Sequence, residues 1–336
     1  MKALFSPRGY SLAKMLCVLF LVATVAIGMI GCNGDDVDPP VDLEIRNWND
    51  LDEVRNNLGG NHRLMNHLDS ATAGYENLAS ATANEGKGWQ PIGTLIRPFT
   101  GTLDGQGFEI RDLVIDRPEE ALVGLFSVTA EAAVIENLRV MDATVTGYTI
   151  AGGLVAANVG LVANACFSGN VTGRFSVGGL VGDNSGTFNN SYSIGYVTGV
   201  EENVGGLIGD SKGTVSNTYS TAGATGEQHV GGLVGRISSG TVNNSYATGN
   251  VTGEEYFGGL VGSAPLGAVD NSFWDKETSG TAESEGGTSK TTAEMQNMVT
   301  FSDSGWDIVL IGAYADETWY IDDGNDYPRL GWQLAG

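Results

Sequence analysis

The sequence predicts an all-β chain folded as a parallel β-helix, a solenoid of about seven coils of 26 to 27 residues with short helical N- and C-terminal caps. First, Gly-Gly-Leu triplets begin at Gly152, Gly178, Gly205, Gly231 and Gly258, at steps of 26, 27, 26 and 27 residues. Second, the 336 residues include 50 glycines but only 8 prolines. Third, short runs of Val, Ile, Thr and Tyr are separated by Gly, Asn and Ser, which is typical of strands and turns.

A repeat of this length indicates units that bury their apolar residues only against their neighbours. A propeller blade needs about 40 residues for its four strands, and helical repeats need helix formers that this region lacks. One unit therefore fits one β-helix coil of three short strands. Equivalent residues of successive coils should then stack about 4.8 Å apart.

The repeats run over residues 99–275, where an apolar-x-Asn motif occurs in seven copies, the first with Asp112 in place of Asn. Stacked amides can bond one another and the turn backbone, so the motif predicts a structural ladder at one corner. The ladder consists of Asn137, Asn164, Asn190, Asn217, Asn244 and Asn271.

An aromatic stack should lie beside this ladder, formed by Tyr192, Tyr219, Tyr246 and Phe273. Cys166 aligns with either the Ser191 or the Tyr192 column. In both alignments we expect a packed small hydrophobe rather than a nucleophile.

The N-terminus reads as a secretory signal over residues 1–31, because Lys2, Arg8 and Lys14 precede an uncharged apolar run at residues 15–30. A spanning helix needs about 20 apolar residues, so a permanent anchor is less favoured. "MIGC" at residues 29–32 resembles the bacterial lipobox and predicts lipidation of Cys32, with plain cleavage or an uncleaved anchor as alternatives. Residues 32–42 then form the lipidated Cys and an acidic tether, which predicts a secreted chain, lipid-anchored at the bacterial outer membrane or cell surface.

The formal net charge is −23, and loss of three basic groups with residues 1–31 makes the mature charge −26. Such a chain repels nucleic acid and anionic lipid, so we expect no nucleic-acid partner and membrane attachment only through the lipid. Cys166 has no partner within the mature chain, because Cys17 leaves with the signal and Cys32 carries lipid. Stability should not depend on disulfides, and we expect a monomer.

Residues 43–98 and 276–336 depart from the repeat and are predicted as caps that cover the exposed sheet ends. In the first, Asn49 or Asp50 can cap a short helix that stops at Gly59. In the second, "SKTTAEMQNMVTF" predicts another capped helix, and three aromatic-rich closing strands follow.

"GGLVG" with "NNSYATGNVTG" resembles the GLUG repeat of bacterial surface and secreted proteins, including the non-catalytic parts of IgA-cleaving metallopeptidases. "WQPIG" and "TLDGQGFEIRDLVI" before the repeats, and "SFWDKETSG" and "YPRLGW" after them, agree with it. The resemblance covers about residues 43–333, with Ala156 replacing the final Gly of the first copy. It implies a β-helix on a cell surface, but no reaction, because the repeat has no assigned catalytic residues.

A zinc peptidase needs an H-E-x-x-H pattern, and His62, His67 and His229 do not form one. No G-x-S-x-G elbow joins a plausible strand to a helix. We therefore assign no catalytic residue. Parallel β-helices also host polysaccharide lyases and hydrolases, which is an analogy of fold and not of site.

Glu201, Glu227 and Glu254 form an acidic column four residues before the Gly-Gly pairs, and Glu202 and Glu255 lie in the next column. A solvated turn, with Arg174 offsetting Glu201, is one interpretation. A calcium-binding or cation-dependent ligand stripe is another, because stacked carboxylates repel one another unless solvated or bridged. Catalysis is disfavoured, since no Lys, Arg or His is expected alongside.

Two other acidic loops are candidate cation sites: equivalent turns with Asp183 and Asp210, and residues 322–328. Turn chemistry explains both without a metal, and the identity of any metal stays open.

The first functional hypothesis is a surface-tethered, non-catalytic binding, adhesion or structural module that contacts a polysaccharide or a protein of a host or neighbouring cell. It requires no cofactor, although calcium could assist. The alternative is a carbohydrate-active enzyme of the β-helix type, a polysaccharide lyase or hydrolase.

Overall fold

A computed structural model describes residues 43–313 and 317–334. The predicted signal peptide, the lipidation of Cys32 and the acidic tether lie outside the described residues. Among the described residues, no helix is both long enough and apolar enough to cross a membrane.

The described chain is built mainly of short strands, numbered here in chain order. They are β1 (Leu43–Ile45), β2 (Asn61–Leu64), β3 (Thr102–Asp104), β4 (Glu109–Arg111), β5 (Val114–Asp116), β6 (Leu122–Val123), β7 (Phe126–Val128), β8 (Val134–Glu136), β9 (Arg139–Thr146), β10 (Ile150–Gly152), β11 (Val155–Asn158), β12 (Leu161–Ala163), β13 (Cys166–Gly173), β14 (Ser176–Gly178), β15 (Val181–Asn184), β16 (Thr187–Asn189), β17 (Tyr192–Gly199), β18 (Glu202–Gly205), β19 (Ile208–Ser211), β20 (Thr214–Ser216), β21 (Tyr219–Ser220), β22 (Gly223–Thr225), β23 (Gln228–Gly231), β24 (Val234–Ile237), β25 (Thr241–Asn243), β26 (Tyr246–Ala247), β27 (Val251–Thr252), β28 (Glu255–Gly258), β29 (Val261–Ser263), β30 (Ala268–Asp270), β31 (Phe273–Asp275), β32 (Thr288–Lys290), β33 (Ile308–Leu310), β34 (Trp319–Ile321) and β35 (Arg329–Leu330).

Helical segments are few and short. They are α1 (Trp48–Glu53), α2 (Tyr75–Leu78), α3 (Ala83–Gly86), α4 (Thr292–Met295) and α5 (Met298–Ser302), with 3₁₀ turns at Val54–Asn56 and Gly331–Gln333.

Four parallel sheets run along the solenoid. Sheet I has nine strands in the order β1-β2-β3-β8-β12-β16-β20-β25-β30, and sheet II has six, β6-β10-β14-β18-β23-β28. Sheet III has six, β7-β11-β15-β19-β24-β29, and sheet IV has eleven, centred on β4-β9-β13-β17-β21-β26-β31-β32. Each coil passes through sheets I, IV, II and III in turn, which confirms the predicted parallel β-helix.

Two details differ from the prediction. Each coil contributes to four sheets rather than three, and sheets II and III contain six strands, so six coils are complete rather than about seven. The seventh copy of the Asn motif begins a further coil with β30 and β31. After residue 275 the chain leaves the coil path, and that turn stays incomplete.

The fourth strand arises from the Gly-Gly-Leu corner between sheets II and III. A Cβ on Gly178 would lie 2.0 Å from the carbonyl oxygen of Val181, so only glycine permits so sharp a fold. The following leucines point into the solenoid and are fully buried: Leu154, Leu180, Leu207, Leu233 and Leu260. With the aliphatic residues of the four sheets they form one continuous core.

A buried polar ladder runs beside this core at the ends of the sheet III strands. Thr129 Oγ1 donates to Asn158 Oδ1 at 2.7 Å, and Asn158 Nδ2 donates to Asn184 Oδ1 at 2.8 Å. Asn184 Nδ2 continues to Ser211 Oγ at 3.4 Å. Over the first four coils, each coil thus satisfies a buried polar group of its neighbour, which helps to fix the coil register.

The N-terminal segment begins with α1, whose N-cap is Asn47 rather than Asn49 or Asp50. Asn47 Oδ1 accepts from the backbone N–H groups of Asn49 and Asp50 at 2.9 and 3.1 Å, because its extended backbone turns its side chain toward the helix start. β1 also pairs in parallel with β2, and β2 pairs in parallel with β3, so this segment extends sheet I.

The C-terminal segment contains two short helices where one was expected. Thr291 and Glu294 form a capping box at α4, and Asn297 starts α5 by accepting from Val299 N at 2.9 Å. Strands β33, β34 and β35 form a separate sheet that packs its aromatic residues against sheet IV. This segment therefore lies along a flank of the solenoid, whereas the loop before β32 meets the last coil, with Glu283 O accepting from Gly259 N.

Candidate functional site

The first acidic column lies in the turns between sheets IV and II. Glu227 N donates to Glu201 O at 3.2 Å and Glu254 N donates to Glu227 O at 2.9 Å, so the three residues stack one coil apart. Glu227 and Glu254 are exposed. The Glu201 carboxylate pairs with Arg174 at 2.5 Å, and the Arg174 guanidinium lies 5.4 Å from the ring centre of Tyr148.

The second acidic column starts the sheet II strands, where Glu202 is in register with Gln228 and Gln228 with Glu255. Glu202 is half-buried. Burial raises its pKa and Glu201 and Asp210 add to the rise, while Arg236 opposes it.

The residues that follow the second acidic column in the sheet II strands have a left-handed backbone, which was not predicted from the sequence. Asn203, His229 and Tyr256 have φ of 61°, 51° and 53°. His229 Nδ1 lies 3.1 Å from Asn203 Oδ1, and the His229 ring centre lies 5.4 Å from that of Tyr256. The only sequence signal was the position of these residues, each two before the first glycine of a Gly-Gly pair.

The expectation that no basic group stands beside the acidic columns is wrong. His229 Nδ1 lies 3.7 Å from Glu202 Oε2. Burial lowers the pKa of His229, as does Arg236, which also acts on Glu202. Glu202, Asp210, His229 and Arg236 form one group, here called the Glu202 cluster. Arg236 and Asp210 reach it because β24 and β19 of sheet III pack against sheet II.

Asp183 and Asp210 are in register on β15 and β19. Lys212 Nζ lies 2.7 Å from Asp183 Oδ2 and 3.2 Å from Asp210 Oδ2, and thus occupies the position a cation would take. Burial raises the pKa of Asp183. Burial lowers the pKa of Lys212, but the two carboxylates outweigh it and raise that pKa overall.

The acidic loop at residues 322–328 is engaged with its own surroundings. Asp323 Oδ1 accepts from Met298 N at 2.7 Å, at the start of α5. Asn325 Nδ2 donates to Asp322 Oδ1 at 3.0 Å, and Asp326 pairs with Arg329. Within residues 43–313 and 317–334, no three His, Cys, Asp or Glu side chains are grouped so as to hold a metal ion.

The asparagines of the predicted ladder occupy the corner between sheets I and IV. Asn164 Nδ2 donates to Asn137 Oδ1, and Asn137 Nδ2 to Asp104 Oδ1, both at 3.0 Å. All six are left-handed, with φ of 45° to 52°: Asn137, Asn164, Asn190, Asn217, Asn244 and Asn271.

Cys166 pairs in register with Tyr192, which resolves its column. It is fully buried, and its Sγ lies 3.8 Å from Met141 Sδ. Burial raises the pKa of its thiol to about 11. The residue is placed as a packed hydrophobe and not as a reactive thiol.

The tyrosines form a stack with ring centres 4.8 Å apart for Tyr192 and Tyr219 and 5.0 Å for Tyr219 and Tyr246, with planes within 2° of parallel. The C-terminal segment covers them. Trp332 Nε1 donates to Asn190 O at 2.7 Å, and the Tyr246 hydroxyl donates to Pro328 O at 2.6 Å. The half of sheet IV next to the Asn corner is therefore closed.

The other half of sheet IV is open. We call its outer surface the threonine face. One column is Thr146, Thr172, Thr198, Thr225 and Thr252, paired strand by strand in parallel register. A second column runs two residues earlier and consists of Thr144, Asn170, Tyr196, Gly223 and Asn250.

This surface is polar, uncharged and accessible. β13, β17, β22 and β27 contain no charged residue. The acids at the N-terminal edge are Asp116, in register with Thr146, and Asp142 of β9, which pairs with Arg111. Tyr196 is 71% exposed, and Thr172, Thr198, Thr225 and Thr252 are also exposed. The sequence contains "VTG" or "ATG" once per repeat, beginning at Val145, Val171, Val197, Ala224 and Val251, but only the structure shows which half of sheet IV is uncovered.

Residues 226–252 match the family described as the GLUG motif. The chain is also 34% identical over 156 residues to halomucin of Haloquadratum walsbyi, an alignment of 44% of this chain and 2% of that protein. It is 28% identical over 166 residues to a protein of Evansella cellulosilytica described as a candidate Gly-rich membrane protein, covering 46% of this chain and 18% of that one. The chain thus matches only small parts of these curated relatives.

The fold is similar to that of a solved Bacteroides ovatus protein described as a candidate immunoglobulin A1 protease. The two agree with a TM-score of 0.63 and 19% identity, over 89% of this chain and 94% of that one. At this identity the similarity shows the fold alone.

Proposed function

Because the chain carries a GLUG motif within a parallel β-helix, we propose that it is a non-catalytic binding or adhesion module at the cell surface, held there through lipidated Cys32. The observation that carries this proposal is the threonine face. One half of sheet IV is covered by the C-terminal segment, whereas the other half presents two in-register columns to solvent.

Rigidity supports a binding role for this face. Its strands pair continuously over five coils, and Val145, Val171, Val197 and Ala224 anchor it in the core between the exposed threonines. A surface built on strands holds its polar groups in place more firmly than a loop does. Such a surface loses little conformational entropy when it binds.

The charged groups are engaged elsewhere. Lys212 neutralises Asp183 and Asp210, Arg174 pairs with Glu201, and the 322–328 loop supports α5. These contacts favour structural roles for most of the predicted acidic sites. The relative that is described as a Gly-rich membrane protein agrees with a surface location.

A binding assay with a matched pair of variants tests this proposal. Purified chain is measured against glycan and protein arrays, with and without a calcium chelator. In one variant Thr172, Thr198 and Thr225 become Asp, which places charge on the threonine face. In the control, the threonines of a register column on sheet I become Asp: Thr187, Thr214 and Thr241.

We expect the parent and the sheet I control to share one set of ligands, and the face variant to lose it. Equal binding by all three proteins would overturn the threonine face as the binding surface. Loss of binding only with the chelator present would assign calcium a part in it.

The Glu202 cluster favours the second candidate, a lyase or hydrolase. It combines a carboxylate of raised pKa with a histidine 3.7 Å away and an arginine nearby, which is a combination used in general acid–base chemistry. The test is release of reducing sugar or unsaturated product from polysaccharides. An activity lost in Glu202→Gln and in His229→Asn would establish an enzyme in place of a binding module.

A further inference from the structure

We propose that the ligand of the threonine face is a neutral polysaccharide chain that lies across the coils, parallel to the solenoid axis, with one sugar ring stacked on Tyr196. This inference rests on the proposed function and specifies its ligand. It follows from the hydrogen-bonding chemistry, the spacing, the aromatic group and the charge of the face.

The hydrogen-bonding groups of the face both donate and accept. A threonine hydroxyl offers one donor and two acceptor sites, and an asparagine amide offers both kinds. Thr172, Thr198 and Thr225 with Asn170 and Asn250 therefore complement a ligand that also donates and accepts. Sugar hydroxyls do so, whereas a carboxylate or sulfate only accepts and an ammonium only donates.

The spacing of these groups suits a polymer. In-register residues of paired strands lie about 4.8 Å apart, so five threonines form a straight row of about 19 Å. A pyranose ring in an extended glycan advances by a similar distance. Successive sugars can then meet equivalent hydroxyls, and several weak contacts add along one rigid chain.

Tyr196 supplies an aromatic platform at the middle of the face. It is in register with Gly223 of the next coil, and a Cβ on Gly223 would lie 3.2 Å from Tyr196 Cδ1. The ring thus leans over the glycine, which leaves its other side free. Neighbouring Ile194 is 40% exposed and widens the apolar strip. Aromatic side chains are rigid and amphipathic, which suits them to stack on the apolar face of a sugar.

Charge favours a neutral ligand over an ionic one. The four strands β13, β17, β22 and β27 are uncharged, but Glu227, Glu254 and the Arg174–Glu201 pair follow the threonines in the adjoining turns and give the border a net negative charge. A polyanion would be repelled by this border and by the net charge of −23. A polycation would be drawn to the acidic turns rather than to the threonines.

The experiment measures binding to cellulose, to soluble mixed-linkage β-glucan and to mannan as neutral probes, with polygalacturonate and chitosan as charged probes. We expect binding to at least one neutral glycan that changes little between 50 and 500 mM NaCl. Tyr196→Ala should weaken it about tenfold, and Tyr196→Phe should retain it, because the ring and not the hydroxyl stacks.

Tyr256→Asn is the matched control. Tyr256 is 61% exposed on sheet II and has a left-handed backbone that Asn also adopts. Binding lost in this variant but kept in Tyr196→Ala would overturn the assignment to the threonine face. Salt-sensitive binding to a charged polymer alone would overturn the neutral ligand.

Failure of this inference can be told apart from failure of the proposed function. One outcome is that no glycan binds, but an arrayed protein binds the parent and not the threonine-to-aspartate variant. The threonine face is then still the binding surface, but its ligand is not a polysaccharide. If light scattering shows that the parent is a dimer and the same variant a monomer, the face is a contact between two copies of the chain, and the polysaccharide proposal is wrong. If no ligand binds the variant more weakly than the parent, both the polysaccharide ligand and the threonine face as binding surface are wrong.

Discussion

At the corner between sheets I and IV, the coils from the second onward each turn through one left-handed asparagine. The six ladder asparagines hold φ of 45° to 52° there, whereas Asp112, which the motif aligned with them, lies between β4 and β5 of sheet IV. Most residues lose about 1 to 2 kcal/mol in this conformation, whereas Asn tolerates it because its short polar side chain bonds locally. The Asn column is therefore explained by backbone geometry. The Asn164 amide adds to it by donating to Asn137 Oδ1, and the Asn137 amide by donating to the Asp104 carboxylate.

This explanation predicts different outcomes for two small substitutions at Asn217, which has φ of 52°. Asn217→Ala should destabilise the chain by about 1 kcal/mol, because alanine is strained in this conformation. Asn217→Gly should stay within a few tenths of a kcal/mol of the parent. Urea unfolding followed by circular dichroism measures both, and equal losses would show that the amide matters more than the backbone.

The Lys212 ammonium pairs with two buried carboxylates, those of Asp183 and Asp210. Replacing Lys212 by Met should take this counter-charge away from Asp183 and Asp210 and cost about 2 to 4 kcal/mol at pH 8. The pKa of Asp183 is already raised in the folded state, so its charged form opposes folding above that pKa and its neutral form does not. The loss in Lys212→Met should therefore shrink as the pH falls toward 4.

Urea midpoints of Lys212→Met at pH 8 and pH 4 test this sign. Adding Asp183→Asn should recover part of the stability at pH 8, because one of the two unpaired charges is then removed. A loss that is independent of pH would show that Lys212 contributes through packing rather than charge.

At the scale of elements, the C-terminal segment and sheet IV form a second core. It joins the aromatic column of sheet IV to residues of α5, of β33 to β35 and of the segment between α5 and β33. The column is Tyr192, Tyr219, Tyr246 and Phe273, and the C-terminal residues are Phe301, Trp306, Ile308, Trp319, Ile321 and Leu330. Trp306 and Trp332 also donate to the backbone carbonyls of Asn271 and Asn190, both at 2.7 Å. Because aromatic area dominates such contacts, the covered half of the sheet should be its more stable half.

The reactivity of the Cys166 thiol can be used to measure how well the C-terminal segment covers sheet IV. Trp332 lies over both neighbours of Cys166 in its column, 5.6 Å from the Tyr192 ring centre and 5.4 Å from the Arg139 guanidinium. With Cys17 and Cys32 replaced by Ser, we expect Cys166 to react very slowly with a thiol reagent at pH 8, because it is buried and its pKa is raised to about 11.

Trp332→Ala should speed that reaction by at least about tenfold, since it removes the ring above the thiol. Trp89→Ala, a buried change in the N-terminal segment, is the control and should leave the rate nearly unchanged. Similar acceleration by both variants would mean that Cys166 reacts through global unfolding and not through local opening of the cover.

At the scale of the molecule, the chain combines a repetitive core with a strongly acidic exterior. Its net charge of −23 favours solubility but opposes compaction through self-repulsion. The solenoid resists this because each coil is paired with the next through four sheets. Stability should accordingly rise when salt screens the carboxylates.

Glu201, Glu227 and Glu254 test this balance when all three become Gln. We expect the far-UV circular dichroism to be unchanged and the urea midpoint to shift little, because the loss of the partly exposed Arg174 pair is set against reduced repulsion. Adding 0.5 M NaCl should raise the urea midpoint more for the parent than for the variant. Collapse of the spectrum would show that the acidic column is structural.

The sequence alone determined the repeating part of this protein. The 26 to 27 residue period, the parallel β-helix, the Asn corner and the aromatic column beside it could all be predicted, because one coil repeats one local solution and parallel register aligns equivalent residues. The division of each coil into four strands was not predicted, because composition alone does not show that the Gly-Gly-Leu corner separates sheets II and III. The left-handed positions at His229 and Tyr256 were missed because propensity disfavours them.

Only the tertiary structure decided what happens where different segments meet. It placed the C-terminal segment along the flank of sheet IV, Lys212 between two aspartates, and Arg236 beside Glu202. These contacts join residues that share no repeat position, so they depend on how faces of different sheets dock and not on the period. The same docking closes one half of sheet IV and leaves the threonine face open to solvent.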